Sequence, residues 1–544
     1  MDLIAAANAW LDQDPDATTR AETQALIQSV DLEGLRSRFG SRLAFGTAGL
    51  RGELGAGPNR MNQVVVAQTA LGIARFLNHS KPTYLDKSGG LSVVIGFDGR
   101  INSDIFARLS AEVFQAAGIR AQIFEEVVPT PIAAFAGKAL GASATVVVTA
   151  SHNPPRDNGY KVYLGGPNGH SQLIAPQDAE IAGFISEIAK TEVFSEIPRD
   201  QSYSLLSPRL VDNYVGRALQ LIAPVQEKKT QRAALRIAYT AMHGVGHRYL
   251  ANLFANAGFE INSVKNQQEP DGNFPTVAFP NPEEPGAMDL AFELAKEIAA
   301  DLVIANDPDA DRVAIGYGNP PRLLTGDQVG MILAEHLATK GAKVIANSIV
   351  SQDLSPIAAR HGIDYQQTLT GFKWISKVPN LDYGYEEALG YCVDPEFTPD
   401  KDGITAALLI AEVASELKAQ GKDLGDELTR LAELYGESAT GQVSIRVQDL
   451  SVIEDVMRGL RAEPPTEILG RKVQLEDFLL RSGNQKTDAV VLSNSELKVI
   501  FRPSGTEPKL KCYLQLRGNG AKAELAQLES WASEIISRLS PATQ

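Results

Sequence analysis

Cysteine is scarce in this chain: two residues in 544, Cys392 and Cys512, far apart and without metal-ligand spacing. That scarcity argues against a disulfide framework or a thiolate metal centre and points to a reducing compartment. Long apolar runs are missing too. No stretch of about 18 uncharged apolar residues occurs, and Met1-Asp2-Leu3-Ile4-Ala5 has neither a basic n-region nor an apolar h-region. The expectation is a cytoplasmic protein without a membrane anchor. Positive charge is in deficit, with 51 Lys and Arg against 66 Asp and Glu and a net charge of −15. Long-range attraction to nucleic acid or an anionic membrane is therefore disfavoured, and any bound phosphate must meet a local cationic pocket.

What is present suits a globular protein: 44% of residues are apolar and 22% charged. At about 150 residues per domain, the length calls for three or four cores. Residues 1–40 carry apolar residues at helical spacing and predict one or two amphipathic helices. From residue 91, strand-like runs at 91–97, 121–124 and 144–148 alternate with helical patterns such as 105–117. The same alternation recurs with strands at 235–239 and 302–304 and helices at 248–257 and 287–299. It recurs again with helices at 326–337 and 404–418 around a strand at 344–349. After residue 440, strands at 442–447, within 489–501 and at 511–516, with helices at 452–460 and 521–539, read as an antiparallel α+β unit. The fold class is α/β: three similar mixed-sheet α/β domains followed by a smaller α+β domain with an antiparallel sheet. The expected boundaries are 1–207, 208–321, 322–440 and 441–544.

Several loops carry chemistry. The buried-strand pattern at 144–148 ends in Thr149-Ala150-Ser151-His152-Asn153-Pro154-Pro155, where the prolines forbid strand and helix, so Ser151 is expected on a rigid, exposed loop beside an imidazole. Taken alone, the heptapeptide also fits a plain turn. Phe45-Gly46-Thr47-Ala48-Gly49-Leu50-Arg51-Gly52 combines glycines that allow close backbone approach with one charge, Arg51. Asn306-Asp307-Pro308-Asp309-Ala310-Asp311-Arg312 places carboxylates at alternate positions, where they can converge on one hard divalent cation. A calcium EF-hand is excluded, because counting from Asp307 its glycine and glutamate positions hold Arg312 and Gly318. Arg312 adds a cation that does not compete as a ligand. Phe501-Arg502-Pro503-Ser504-Gly505-Thr506-Glu507-Pro508 offers a guanidinium, hydroxyls and backbone N–H groups to an anion. Gly384-Tyr385-Glu386-Glu387-Ala388-Leu389-Gly390-Tyr391 sets carboxylates among glycines and aromatics, which suits recognition of sugar hydroxyls and equally fits an exposed strand end.

Together these loops resemble, in order, the active-site loops of the α-D-phosphohexomutases, over a span from about Phe45 to Lys511. The resemblance implies a mutase in which phosphorylated Ser151 gives its phosphoryl group to a sugar phosphate and regains one from the bisphosphate so formed. It implies Mg²⁺ held by Asp307, Asp309, Asp311 and Ser151, and proton exchange among Arg51, His152 and Lys161. Arg502, Ser504, Gly505 and Thr506 would hold the non-transferring phosphate. Glu386 would grip ring hydroxyls, and Lys373, in Thr370-Gly371-Phe372-Lys373-Trp374, would face substrate. His243 is read as structural. Glucose 1,6-bisphosphate is the implied activator, and the implied shape is a deep, water-poor cleft at the centre of four domains. Glucose phosphate is the first substrate expected, with mannose or pentose phosphate as alternatives. Ala388 departs from the family's frequent serine and removes one hydroxyl contact. A phosphatase or a non-catalytic sugar-phosphate-binding relative is the other reading, although no expected group is lost. The expected partner is a small sugar phosphate, with no nucleic acid or membrane, and the expected state a monomer or small homo-oligomer.

Overall fold

Continuous β-branched runs form strands buried on both faces, provided that helices cover the sheet. The computed structural model, which describes residues 2–447, 449–503 and 509–540, shows this arrangement. Its first sheet gathers β1 (Leu50–Glu53), β2 (Ser92–Phe97), β3 (Arg120–Ile123), β4 (Ala144–Val148), β5 (Asp157–Leu164), β6 (Ser171–Gln172) and β7 (Ser204–Leu205). The order is β1-β5-β4-β2-β3-β7, with β6 beside β5. β4, β2, β3 and β7 run parallel, and β5 and β1 add antiparallel pairings. Every residue of β2 and β4 is buried.

The second sheet joins β8 (Ile237–Thr240), β9 (Ile261–Ser263), β10 (Leu302–Asn306), β11 (Val313–Tyr317) and β12 (Arg322–Leu323) in the order β12-β11-β10-β8-β9. The third joins β13 (Val344–Ser348), β14 (Asp364–Thr368), β15 (Tyr383–Glu386) and β16 (Gly390–Cys392) in the order β14-β13-β15-β16. Both mix parallel strands with an antiparallel edge. The last large sheet contains β17 (Ser438–Arg446), β20 (Gln474–Asp477), β21 (Val490–Ser493), β22 (Leu497–Pro503) and β23 (Lys509–Arg517), antiparallel throughout. A short hairpin of β18 (Glu467–Ile468) and β19 (Arg471–Lys472) lies beside it. Three mixed-sheet α/β domains and a terminal antiparallel α+β domain are therefore present. β17 begins at Ser438, inside the stretch expected to close the third domain.

The cores divide unevenly. One apolar cluster runs through the first three domains, from Val94, Phe135 and Val147 through Leu250, Ile304 and Val313 to Ile345, Tyr385 and Leu408. The helix Gly403–Ala419 lies within it, buried along nearly its whole length. The fourth domain has a core of its own around Val456, Leu492, Phe501, Leu514 and Ile536. At the N-terminus, three helices appear (Leu3–Leu11, Ala17–Gln28, Leu32–Phe39) where spacing predicts one or two. Asp2, Asp16 and Asp31 each accept hydrogen bonds from the first turn that follows, so each aspartate starts a new helix. Among the described residues, no helix is long and apolar enough to cross a membrane.

Candidate active site

Three of the loops singled out above leave the carboxyl ends of strands: Ser151 follows β4, the aspartates follow β10, and Glu386 ends β15. Ligands of open α/β sheets bind at that end. Against the exposed loop expected from its prolines, Ser151 is 2% exposed. The reason is a contact with the second domain, in which Ser151 Oγ donates to Asp307 Oδ2 at 2.7 Å. His152 Nδ1 lies 3.1 Å from the same Oγ. Burial, followed by the charges of Arg312 and Arg51, pushes the His152 pKa well down, so the imidazole is neutral. Arg51, paired across β1–β5 with Gly159, donates from Nη1 to Asn153 Oδ1 at 3.0 Å and so touches the serine loop.

Asp307, Asp309 and Asp311 are buried and present oxygens that all lie within 4.8 Å of one another. Asp309 Oδ2 accepts from Thr130 Oγ1 (2.6 Å) and Lys161 Nζ (2.6 Å), and Asp311 Oδ2 accepts from Lys161 Nζ (2.7 Å). Asp307 Oδ1 accepts from the Arg312 N–H. By contrast, Asp309 Oδ1 and Asp311 Oδ1 are buried with no hydrogen-bond partner. Each carboxylate is thus anchored through one oxygen. Asp309 and Asp311 keep the other unpartnered, while that of Asp307 meets Ser151. Burial, then the charges of Asp309 and Asp311, push the Asp307 pKa well up. A hard divalent cation suits this oxygen set, because it satisfies the orphaned atoms and relieves the crowding of negative charge.

Lys161 has its ammonium on Asp309 and Asp311, in the same cluster whose Asp307 meets Ser151. Burial opposes its charge, but the two carboxylates outweigh that and hold its pKa above the ordinary value. Arg312 Nε lies 3.8 Å from Asp311 Oδ1, and its backbone bridges to Gly390 beyond Glu386. Glu386 is buried. Its neighbour Glu387 accepts from Ser351 Oγ at 2.9 Å, and burial, followed by Glu386 and Asp327, pushes its pKa up to about 8. Lys373 crosses from the third domain to donate to Thr47 Oγ1 at 2.8 Å, and it shares a cavity of about 70 Å³ with Arg502. Burial, then the Arg502 charge, lower the Lys373 pKa. Ser504, Gly505 and Thr506 lie outside the described residues. His243 hydrogen-bonds Thr276 at 2.8 Å in a scaffold network, in keeping with a structural role.

Sequence reasoning missed Lys401. Its ammonium sits 3.5 Å from Asp311 Oδ2, 3.2 Å from Asp400 Oδ1 and 5.1 Å from the Phe372 ring centre. The available signal was Asp400-Lys401-Asp402-Gly403, a cation held between acids just before the helix that Asp402 caps.

Three profiles of one family match the chain in order. They are those of the phosphoglucomutase/phosphomannomutase alpha/beta/alpha domains I, II and III, over residues 42–192, 212–319 and 325–435. With this fold and these similarities, the protein is an enzyme, an intramolecular phosphotransferase of the phosphosugar mutase class. The chain belongs to the phosphoglucomutase/phosphomannomutase family, the α-D-phosphohexomutases. It is 43% identical over 470 residues to the "probable phosphomannomutase" of Haemophilus influenzae, covering 85% of this chain and 94% of that one. It is 32% identical over 585 residues to the phosphopentomutase of Pongo abelii, covering 97% and 94%. The fold is shared with a phosphoglucomutase/phosphomannomutase family protein of Burkholderia thailandensis, with a TM-score of 0.69, 19% identity and coverage of 92% and 99%.

Proposed function

We propose that Ser151 is the phosphoryl carrier and that the reaction interconverts glucose 1-phosphate and glucose 6-phosphate through glucose 1,6-bisphosphate. One observation carries this reading above the rest: the Ser151 hydroxyl is held 2.7 Å from Asp307, at the edge of a cluster with orphaned carboxylate oxygens. In the first half-reaction the bond between phosphorus and Ser151 Oγ breaks as a sugar hydroxyl oxygen bonds to phosphorus. The hydroxyl proton passes through the group formed by Arg51, His152 and Lys161 and ends on Ser151 Oγ. In the second half-reaction the bisphosphate, turned end for end, returns its other phosphoryl group to Ser151, and the proton path reverses. Asp307, Asp309 and Asp311, with Ser151, would hold Mg²⁺, which supplies neutralisation of charge on the phosphoryl oxygens. Lys373 and Arg502, with Ser504, Gly505 and Thr506, grip the phosphate that is not transferred. Glu386 accepts from ring hydroxyls, and Arg312, between that loop and the aspartates, balances charge on the transferring group.

The names of the relatives differ in sugar, mannose in one and pentose in the other. Ala388, which offers no hydroxyl, leaves the choice among sugars to Glu386 and Glu387. The same reading divides the chain at 1–207, 208–321, 322–440 and 441–544, since each matched family segment falls inside one of the first three units. A reducing, cytoplasmic setting accords with two free, buried cysteines. The test is mutase activity with Mg²⁺ and a trace of glucose 1,6-bisphosphate, with glucose, mannose and ribose 1-phosphates compared in parallel with Ser151→Ala. Ser151-dependent formation of glucose 6-phosphate is the expected result. A much faster second sugar would move the substrate assignment but leave the mechanism. Release of free phosphate in place of product would mark a phosphatase.

A further inference from the structure

One buried cation away from the aspartate cluster directs four hydrogen bonds at a single loop. Arg100 follows β2 and is 3% exposed. Its Nη2 donates to the carbonyl oxygens of Ser151 (2.7 Å) and Asn153 (2.5 Å), and its Nη1 to those of Pro154 (2.9 Å) and Asp157 (3.0 Å). A planar guanidinium with five N–H donors can serve four carbonyls, whereas a lysine ammonium has only three donors from a single point. Asp98 braces the arrangement. Its Oδ1 accepts from the Arg100 N–H (3.0 Å) and Ser103 Oγ (2.7 Å), and its Oδ2 accepts from Thr149 Oγ1 (2.6 Å) and lies 3.5 Å from Arg100 Nε. Thr149 Oγ1 in turn accepts from the Ser151 N–H at 2.8 Å.

Both polar groups of the Ser151 backbone are therefore tied to the same buried pair, the carbonyl directly and the N–H through Thr149. The tie matters because Ser151 has φ = 51°, in the left-handed region that residues other than glycine disfavour. The second domain closes over the other side. The Phe274 ring centre lies 5.0 Å from the Arg100 guanidinium carbon, and Phe274 is itself buried. A Cβ at Gly272 would lie 2.7 Å from Ile101 N and 2.9 Å from Gly99 O, so the loop packs against this turn with no room to spare.

We propose that Arg100, braced by Asp98, is the positioning residue that holds Ser151 in its left-handed conformation facing Asp307, and that the Phe274 loop of the second domain locks Arg100 in place. The inference rests on Ser151 being the phosphoryl carrier. Transfer in both directions needs its oxygen placed to a fraction of an ångström, and a misplacement of about 1 Å can cost about 10²-fold in rate.

The test compares the full-length wild type with Arg100→Lys, Arg100→Ala and Phe274→Leu, with Ser151→Ala as control. If the wild type shows no Ser151-dependent turnover, the mutase reading fails, and that failure is distinct from failure of the Arg100 assignment. With wild-type turnover in hand, both Arg100 variants are expected to lose on the order of 10²-fold in kcat with KM little changed. Phosphorylation of Ser151 by glucose 1,6-bisphosphate, followed by intact mass, slows in parallel. Millimolar methylguanidinium restores part of the kcat of Arg100→Ala, and Phe274→Leu shows a smaller loss of kcat. Wild-type kcat in the Arg100 variants would overturn the proposal. So would a loss that appears in KM, or one that tracks the unfolded fraction by circular dichroism and is not rescued by methylguanidinium. Should the Arg100 variants not fold, unchanged kcat and phosphorylation rate in folded Phe274→Leu would overturn it on their own.

Discussion

The half of the site around Ser151 and the half around Arg502 are built differently. The first is closed by short bonds between domains: Ser151 to Asp307, Lys161 to Asp309 and Asp311, Thr130 to Asp309, Tyr163 to Asp400 and Tyr214 to Asp402. A continuous apolar core stands behind it. The second half belongs to a domain with its own core, joined to the third domain by a small cluster of Val350, Phe478, Val491, Ile500 and Tyr513. Polar bonds across that junction include Lys498 Nζ to Ile349 O (2.9 Å) and Arg517 to Asp353 (2.5 Å). The contrast suits an enzyme that must fix one phosphoryl group while letting go of the rest of its substrate. On the proposed reading, phosphoryl transfer is centred on three domains that share an apolar cluster, and substrate grip draws on a residue of the fourth, Arg502.

Substitutions in the two halves should therefore separate kinetically. The largest effect is expected at the fused half. Asp309→Asn should lower kcat on the order of 10²–10³-fold, and chelation by EDTA should stop turnover until Mg²⁺ is restored. Next, Arg502→Ala should act mainly on substrate grip. Lost charge-assisted hydrogen bonds of about 1.5–3 kcal/mol would raise KM by about 10- to 10²-fold, with a smaller change in kcat. An equal fall in kcat at both positions would erase the distinction.

Lys498 probes the junction itself. Burial pushes its pKa down to about 8, against about 10.4 for an unperturbed lysine. Between those values the unfolded chain binds more protons than the folded one, so this lysine makes stability rise as pH increases from about 8. Allowing for partial contact with solvent, the gain is on the order of 1–2 kcal/mol. Lys498→Met should flatten the rise of Tm over that window, measured by thermal melts at stepped pH, and leave kcat near that of the wild type. The smallest effect is expected at Ala388→Ser. A new hydroxyl beside Glu386 should change the ratio of kcat/KM between glucose and mannose 1-phosphates by about tenfold or less.

The two halves also differ in how far they can be read from sequence. Ser151, Glu386 and the alternating aspartates each sit in a short motif at a strand end, so residue order alone locates them. Arg502 likewise stands near the end of a strand, β22, and the mixed-sheet and antiparallel grammars separate the first three domains from the fourth. The burial of Ser151 is not legible locally, because Asp307, the group that closes over it, lies 156 residues away. Lys401 escapes for the same reason, as its relation to Asp311 exists only once the second and third domains meet. Arg100 reads as an ordinary turn cation until its four carbonyl partners, more than 50 residues on, are seen around it. Lys161 shows the same limit: its motif gives no sign that its ammonium lands on Asp309 and Asp311, 148 and 150 residues on.

The most direct measurement is intact mass with site mapping after incubation with glucose 1,6-bisphosphate, on the wild type and on Ser151→Ala. One phosphoryl group is expected on the wild type, located at Ser151 and discharged by added glucose 1-phosphate, and none on Ser151→Ala. A phosphoryl group on another residue, or undiminished turnover by Ser151→Ala, would contradict that assignment.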